Sequence, residues 1–111
     1  MNDKFDEETT RKIQEMQLIE QNLQNLLLQK QQFQLELNET LNAIEESKKT
    51  KSDIYKIVGQ IMVKSGKKEI EAELEKKKEI IELRLKSIEK QEKFLSDKLS
   101  QNRDEILKKI R

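Results

Sequence analysis

Two stretches of this chain space their apolar side chains in the way that is typical of long amphipathic helices. In residues 5–51 these positions are separated alternately by three and four residues, and residues 74–106 show the same spacing. Such a repeat places one stripe along a helix, and two stripes bury each other in a coiled coil. We therefore predict two helices, over residues 1–52 and 66–111. Their predicted stripe, called the seam below, comprises Phe5, Thr9, Lys12, Met16, Ile19, Leu23, Leu26, Lys30, Phe33, Leu37, Thr40 and Ile44, followed by Leu74, Lys78, Ile81, Leu85, Ile88, Glu92, Leu95, Leu99, Asn102 and Ile106.

Residues 53–65 interrupt the seam with a different pattern. The segment is rich in β-branched side chains, and Gly59 offers a turn position, so it predicts a β-hairpin. Apolar residues fall on both faces, and a lone two-stranded hairpin is marginal in water. A simple linker between the helices is the alternative, but a linker would be shorter and more polar. We expect the segment to assemble with other chains through Ile54, Tyr55, Ile57, Val58, Gly59, Ile61, Met62 and Val63.

Length and charge indicate how the two helices meet. They are similar in length and join at the hairpin, so an antiparallel pairing within a single domain, residues 1–111, is expected. Residues 1–53 carry 7 basic and 11 acidic side chains, whereas residues 54–111 carry 16 and 11, which favours contact between the halves. The fold class predicted is mainly α: a long antiparallel two-helix coiled coil with a central β-hairpin that assembles with other chains.

Charged residues on the second helix also predict ion pairs along its solvent face. Acidic and basic side chains stand four residues apart in the favourable order at four places. These predicted pairs are Glu73 with Lys77, Glu82 with Lys86, Glu89 with Lys93, and Glu105 with Lys109.

Composition argues against catalysis. The chain has no histidine and no cysteine, so the usual nucleophile–base pairs and transition-metal sites cannot be built. Its carboxylates alternate with lysines on exposed helix faces, where burial cannot single one out as a catalytic group. We expect no enzyme activity, no catalytic residue, no metal site and no cofactor.

Charge and hydropathy also limit the partners and the compartment. A net charge of +1 gives no argument for a nucleic acid or an anionic membrane as partner. The longest nearly apolar run, residues 57–63, is far too short to span a bilayer, and the acidic N-terminus lacks the apolar core of a signal peptide. A cytoplasmic protein is therefore expected.

Three segments resemble one known family. The segment Asp53-Ile-Tyr-Lys-Ile-Val-Gly-Gln-Ile-Met-Val-Lys64 resembles the hairpin of β-class prefoldin subunits, which have a Tyr-Lys pair, a turn glycine and a hydrophobic strand after it. Leu37-Asn-Glu-Thr40 and Ser87-Ile-Glu-Lys-Gln-Glu92 are similar to the same family. The single hairpin resembles the β class, since the α class carries two, and the absence of extensions resembles the archaeal form. Gly66-Lys67-Lys68 departs from expectation, because it puts basic residues in the first turn of a helix.

The resemblance implies a chaperone subunit in a hexamer of two α and four β subunits. Its hairpins would form a double β-barrel platform, and its coiled-coil tips would capture unfolded client proteins without ATP and transfer them to a group II chaperonin. Near the tip, where the first helix begins and the second ends, apolar residues would no longer be covered by the opposite helix and would contact the client. Alternatively, these residues complete the coiled coil. The candidates are Phe5, Ile13, Met16, Ile106, Leu107 and Ile110. A structural tether or coiled-coil adaptor for folded partners is the rival function.

Overall fold

The computed structural model of the chain describes residues 6–110, which form two long helices and a β-hairpin between them in the sequence. Helix α1 spans Glu7–Lys49, strands β1 and β2 span Ile54–Val58 and Ile61–Ser65, and helix α2 spans Lys67–Ile110. The prediction of a mainly helical chain with a central antiparallel hairpin is confirmed.

Helix α1 begins at a capping aspartate. The backbone N–H of Thr9 donates a hydrogen bond to Asp6 Oδ1 at 2.7 Å, and the N–H of Thr10 donates to the Asp6 carbonyl at 3.0 Å. These two bonds satisfy backbone donors that the first turn of a helix leaves unpaired. Helix α2 begins after Gly66, whose carbonyl accepts a hydrogen bond from the Ile70 N–H at 3.0 Å. The last residue of β2, Ser65, therefore directly precedes the capping position of α2.

The described chain divides into two compact units. The terminal unit contains residues 6–31 and 86–110, and the hairpin unit contains residues 32–85. In the terminal unit, ion pairs join Glu15 to Lys98 and Lys30 to Glu92. Residue numbers thus rise on one helix as they fall on the other, so the two helix segments of this unit run antiparallel. The buried residues of this unit are Thr9, Ile19, Leu26, Ile88, Asn102 and Ile106.

The hairpin unit has its own core beneath the β-hairpin. Two buried hydroxyls of α1 bond to their own helix: Thr40 Oγ1 donates to the Glu36 carbonyl at 2.7 Å, and Ser47 Oγ donates to the Ile44 carbonyl at 2.8 Å. Polar side chains are thereby accommodated among apolar neighbours without an unpaired hydroxyl. The guanidinium of Arg84 lies 5.8 Å from the centre of the Phe33 ring, a cation–π contact. The buried residues here are Thr40, Ile44, Ser47, Ile70 and Ile81.

The predicted seam is confirmed in both units. Every described residue assigned to it is buried or half-buried. Its charged positions are paired rather than isolated: Lys30 Nζ lies 3.2 Å from Glu92 Oε1, and Lys12 forms an ion pair with Glu105. Such pairing offsets the cost of placing charges in a partly buried seam.

Candidate assembly and client-binding surfaces

The β-hairpin closes through a two-residue turn at Gly59 and Gln60. Val58 pairs with Ile61 across the turn, and Gly59 has φ of +64°. No described residue other than glycine has a positive φ, so the turn combines a left-handed first position with an ordinary second one. This is the pattern of a type II′ turn, whose twist matches that of paired strands. The sequence-based assignment of Gly59 to the turn is correct.

The register divides the hairpin into two faces. Tyr55 pairs with Lys64 and Ile57 with Met62, and these four side chains share the first face, which is exposed throughout. Ile57 and Met62 are 75% and 68% exposed. The second face carries Ile54, Lys56, Val58, Ile61, Val63 and Ser65.

The second face is covered only where the strands meet the helices. Ile54 and Ser65, at the base of the hairpin, are half-buried, whereas Val58 and Ile61, next to the turn, are exposed. Apolar side chains of a two-stranded sheet are thus exposed to solvent on both faces. An exposed patch of this kind marks an interaction surface in most proteins.

Both strands also keep an open edge. The sheet contains β1 and β2 alone among the described residues, so each strand has a hydrogen-bonding neighbour on one side only. The outward backbone N–H and C=O groups can therefore pair with a further strand. Open edges and two apolar faces together make the hairpin a site for sheet extension.

Polar contacts fix the base of the hairpin to the helices. Lys56 Nζ lies 3.2 Å from Glu73 Oε1 of α2, and Lys64 Nζ lies 3.4 Å from Asp53 Oδ2. Lys67 Nζ donates to the carbonyls of Lys48 and Thr50 at 3.2 and 3.4 Å, at the point where α1 ends. A cation here pairs with carbonyls that the last turn of a helix leaves free. The hairpin is consequently held at a defined position within its unit.

The second candidate surface lies where α1 begins and α2 ends. Of the residues predicted to contact a client, Phe5 lies outside the described residues. Ile13 and Met16 are half-buried, and Ile106 is buried with 8% exposure. Leu107 and Ile110 are 49% and 46% exposed. The predicted set therefore separates into side chains that already face solvent and side chains that the opposite helix covers.

Interhelical ion pairs surround these apolar residues. Lys109 Nζ lies 3.1 Å from Asp6 Oδ2 and 3.0 Å from Glu8 Oε2, and Lys98 Nζ lies 3.3 Å from Glu15 Oε1. The predicted attraction between the acidic first half and the basic second half is realised here. The predicted pair of Glu105 with Lys109 is not formed, because Glu105 pairs with Lys12 and Lys109 with the acidic residues of α1.

The hydrogen bonds and charges at this end shift several pKa values. The Thr9 backbone N–H, then its hydroxyl, then Lys109 lower the pKa of Asp6 to about 2. Lys109 lowers the pKa of Glu8, and the two carboxylates raise the pKa of Lys109. All three groups therefore favour their charged forms more strongly than they would in an unfolded chain.

Glu15 is held in its charged form by two neighbours. The Asn102 amide and then the Lys98 ammonium lower the pKa of Glu15. The Asn102 amide lies near the Glu15 carboxylate, but its geometry is not that of a good hydrogen bond. The buried Asn102 Nδ2 has no acceptor among residues 6–110 that meets that geometry. A buried donor without an acceptor is costly.

Three further large apolar residues, which belong to neither candidate surface, are exposed. Leu28, Leu83 and Phe94 are all exposed, although they are large and apolar. Each lies off the seam, so a count of apolar residues outside the repeat would have identified them.

No metal-binding or membrane-spanning feature was found in the part of the chain that the structure describes. Within residues 6–110, no group of three or more His, Cys, Asp or Glu side chains is placed to hold a metal ion. Neither helix is long and apolar enough to cross a membrane over the same residues.

Comparison with known proteins decides the family. The model of the family described as "Prefoldin subunit" matches residues 10–111 of this chain. The chain belongs to the prefoldin subunit family. Prefoldins are a family of molecular chaperones.

Similar prefoldins are archaeal β subunits. The prefoldin subunit beta of Thermococcus onnurineus is 42% identical over 94 residues, which cover 83% of this chain and 81% of that protein. That of Methanospirillum hungatei is 34% identical over 97 residues, covering 86% and 81%. The crystal structure of the prefoldin beta subunit from Thermococcus strain KS-1 matches with a TM-score of 0.89 and 34% identity, covering 96% of this chain and 95% of that one. The resemblance to archaeal β-class prefoldin is confirmed.

Proposed function

We propose that this chain is the β-class subunit of a prefoldin hexamer that contains two α-class and four β-class subunits. The hexamer captures unfolded polypeptides without ATP and transfers them to a group II chaperonin in the cytoplasm. Neither nucleic acid nor membrane takes part. The observation that carries the assembly step is the hairpin, which is apolar on both faces and open at both edges.

The hairpin supports assembly by its geometry. Ile57 and Met62 form a cross-strand pair on the exposed face, and burying both against neighbouring sheet removes a large apolar area from water. The open edges of β1 and β2 gain backbone hydrogen bonds in the same step. Closing the sheet into a barrel with other subunits would leave no edge exposed.

The end of the terminal unit supports client binding. Leu107 and Ile110 present apolar side chains on the last turns of α2, and Lys108 and Lys109 stand between them. Small apolar contacts of this kind are weak singly. Repeated on several subunits of one assembly they give avidity, while each contact still dissociates readily. A chaperone that releases its client without ATP needs weak, repeated contacts.

An aggregation assay tests client binding. The chain is assembled with the α-class subunit of the same organism, and suppression of the aggregation of reduced, denatured lysozyme is measured by light scattering. We expect L107S/I110S to weaken suppression and the presence of ATP to have no effect. The control is L83S, which removes an exposed leucine of α2 from the hairpin unit and should leave suppression unchanged.

Two results would contradict the proposed function. Equal suppression by L107S/I110S and by the unsubstituted chain would place client contacts elsewhere. A chain that ignores denatured lysozyme but binds one folded protein would be a tether or adaptor. Transfer is tested by adding a group II chaperonin and following labelled lysozyme from one complex to the other.

A further inference from the structure

Four of the contacts between the helices of the terminal unit are concentrated at one end. Lys109 binds Asp6 and Glu8, Lys98 binds Glu15, and Lys12 binds Glu105. We call these ion pairs the terminal latch. Over the rest of the described terminal unit, one ion pair, Lys30 with Glu92, crosses between the helices.

The seam beneath the terminal latch is unusually polar. Thr9, Lys12 and Asn102 are polar seam residues at this end, whereas most seam residues further from this end are apolar. Asn102 is buried in this arrangement, with 8% exposure. Apolar burial therefore contributes less to closure here. The ion pairs of the terminal latch therefore contribute a larger share of the free energy that holds the two helices together at this end.

The same end covers residues that would suit a client. Ile106 follows Glu105 and stands one turn before Lys109, and Met16 follows Glu15. Ile106 is buried and Met16 half-buried while the ion pairs are formed. Separation of the helices would expose both side chains beside Leu107 and Ile110, and methionine adapts well to varied apolar partners.

We propose that the terminal latch regulates client capture, because its opening uncovers Ile106 and Met16. The proposal rests on the proposed function of this end as the client site. Helix ends open at low free-energy cost, so a few ion pairs are enough to set the balance between the closed and open forms. The latch side chains are solvent-accessible, and dissolved salt therefore screens their attraction. Ionic strength consequently controls how much apolar surface this end presents.

Spin-label distances measure the opening directly. The chain has no cysteine, so Q14C/Q101C places one label on each helix at exposed positions outside the latch. Labelled chain is diluted with unlabelled chain in the hexamer. The screening length falls from about 30 Å at about 0.01 M salt to about 3 Å at about 1 M. We expect a narrow distance distribution at low salt that broadens at high salt.

A matched pair of charge variants isolates the latch. K98Q/K109Q removes two latch lysines and should show the broad distribution already at low salt. K90Q/K93Q removes two exposed lysines of the same helix. Lys93 pairs with Asp97 within α2, and neither lysine contacts α1 through an ion pair of the described residues. This control should match the unsubstituted chain. At low salt we expect K98Q/K109Q to capture denatured lysozyme roughly two- to fivefold faster than the control, the range expected for loss of exposed ion pairs.

The outcomes separate the latch from the client site. A narrow distribution for K98Q/K109Q at low salt would overturn the proposal, and so would a broad distribution with unchanged capture. The distance measurement needs no client, so it reports on the latch even if L107S/I110S contradicts the proposed function.

Discussion

At the scale of single residues, Asp6, the capping residue of α1, shows how much of this structure depends on individual polar contacts. Asp6 accepts the Thr9 N–H at the start of the helix and also binds Lys109, so one carboxylate both caps α1 and contacts α2. Its preference for the charged form follows from both contacts. The acidic residues Glu7 and Glu8 in the first turn add a favourable interaction with the helix dipole.

Asp6 should therefore titrate well below an ordinary aspartate. Its pKa falls from 3.8 to about 2, and a lowered carboxyl pKa stabilises the folded form above pH 3.8 and loses that effect as the pH falls through about 2. We expect the Thr9 amide resonance to titrate with a midpoint near 2. In D6N the asparagine still caps the helix, but this titration should disappear. A midpoint near 3.8 would contradict the hydrogen bond.

Gly59 is the second residue with a specific role. Its φ of +64° lies in the left-handed region, whereas an added Cβ would meet no atom within 4 Å. Gly59→Ala should thus cost about 1 kcal/mol in the free energy of unfolding of the assembled protein, from backbone strain alone. Gln60→Ala is the matched control, since Gln60 occupies the second position of the same turn, is exposed and has no positive φ. Equal effects of the two substitutions in denaturant unfolding would refute the turn assignment.

At the scale of elements, the seam separates residues that stabilise the helices from residues that do not. Ile81 is 3% exposed, and Leu83, two residues further along α2, is 66% exposed. Both belong to the hairpin unit and both are large aliphatic residues, so burial is the main difference between them. They form a matched pair for mutation.

Ile81→Ala should cost about 2–5 kcal/mol in the free energy of unfolding, since it removes buried atoms and leaves a cavity. Leu83→Ala should change it by less than about 0.5 kcal/mol. Urea unfolding followed by helical circular dichroism measures both values. Similar costs for the two substitutions would mean that the seam does not define the core of this unit.

Sequence alone could predict the helices, seam and hairpin, because each depends on a short-range pattern. The alternation of three and four residues determines which face of a helix is apolar, and β-branched residues around Gly59 are typical of paired strands. The partners in the ion pairs were harder to predict from the sequence. Glu73 was expected to pair with Lys77 on its own helix but contacts Lys56 of β1, because a local pattern contains no information on which distant lysine comes within reach.

The candidate sites were predictable to different degrees for the same reason. The hairpin residues could be identified from their apolar character on both faces, which no local partner covers. Ile106 was assigned both to the seam and to the client site, and its burial depends on the position of α1 opposite it. The capping role of Asp6 and its contact with Lys109 likewise join residues that are far apart in the sequence.

At the scale of the whole molecule, the account predicts that assembly depends on the hairpin and not on helix content. Ile57 is exposed in the single chain, so Ile57→Asp should leave helical circular dichroism largely unchanged. The substitution introduces a carboxylate that assembly would bury without a partner, so assembly should fail. Gln60→Asp, at the exposed and already polar turn, is the control for added negative charge. Normal assembly of the Ile57→Asp chain would rule out the proposed interface.

The most direct test of the central claim is native mass spectrometry of this chain mixed with an α-class prefoldin subunit from the same organism. The account predicts one dominant species with four copies of this chain and two of the α-class subunit. A chain that stays a monomer or homodimer in the presence of that subunit would contradict it, and would favour a tether or adaptor for folded partners.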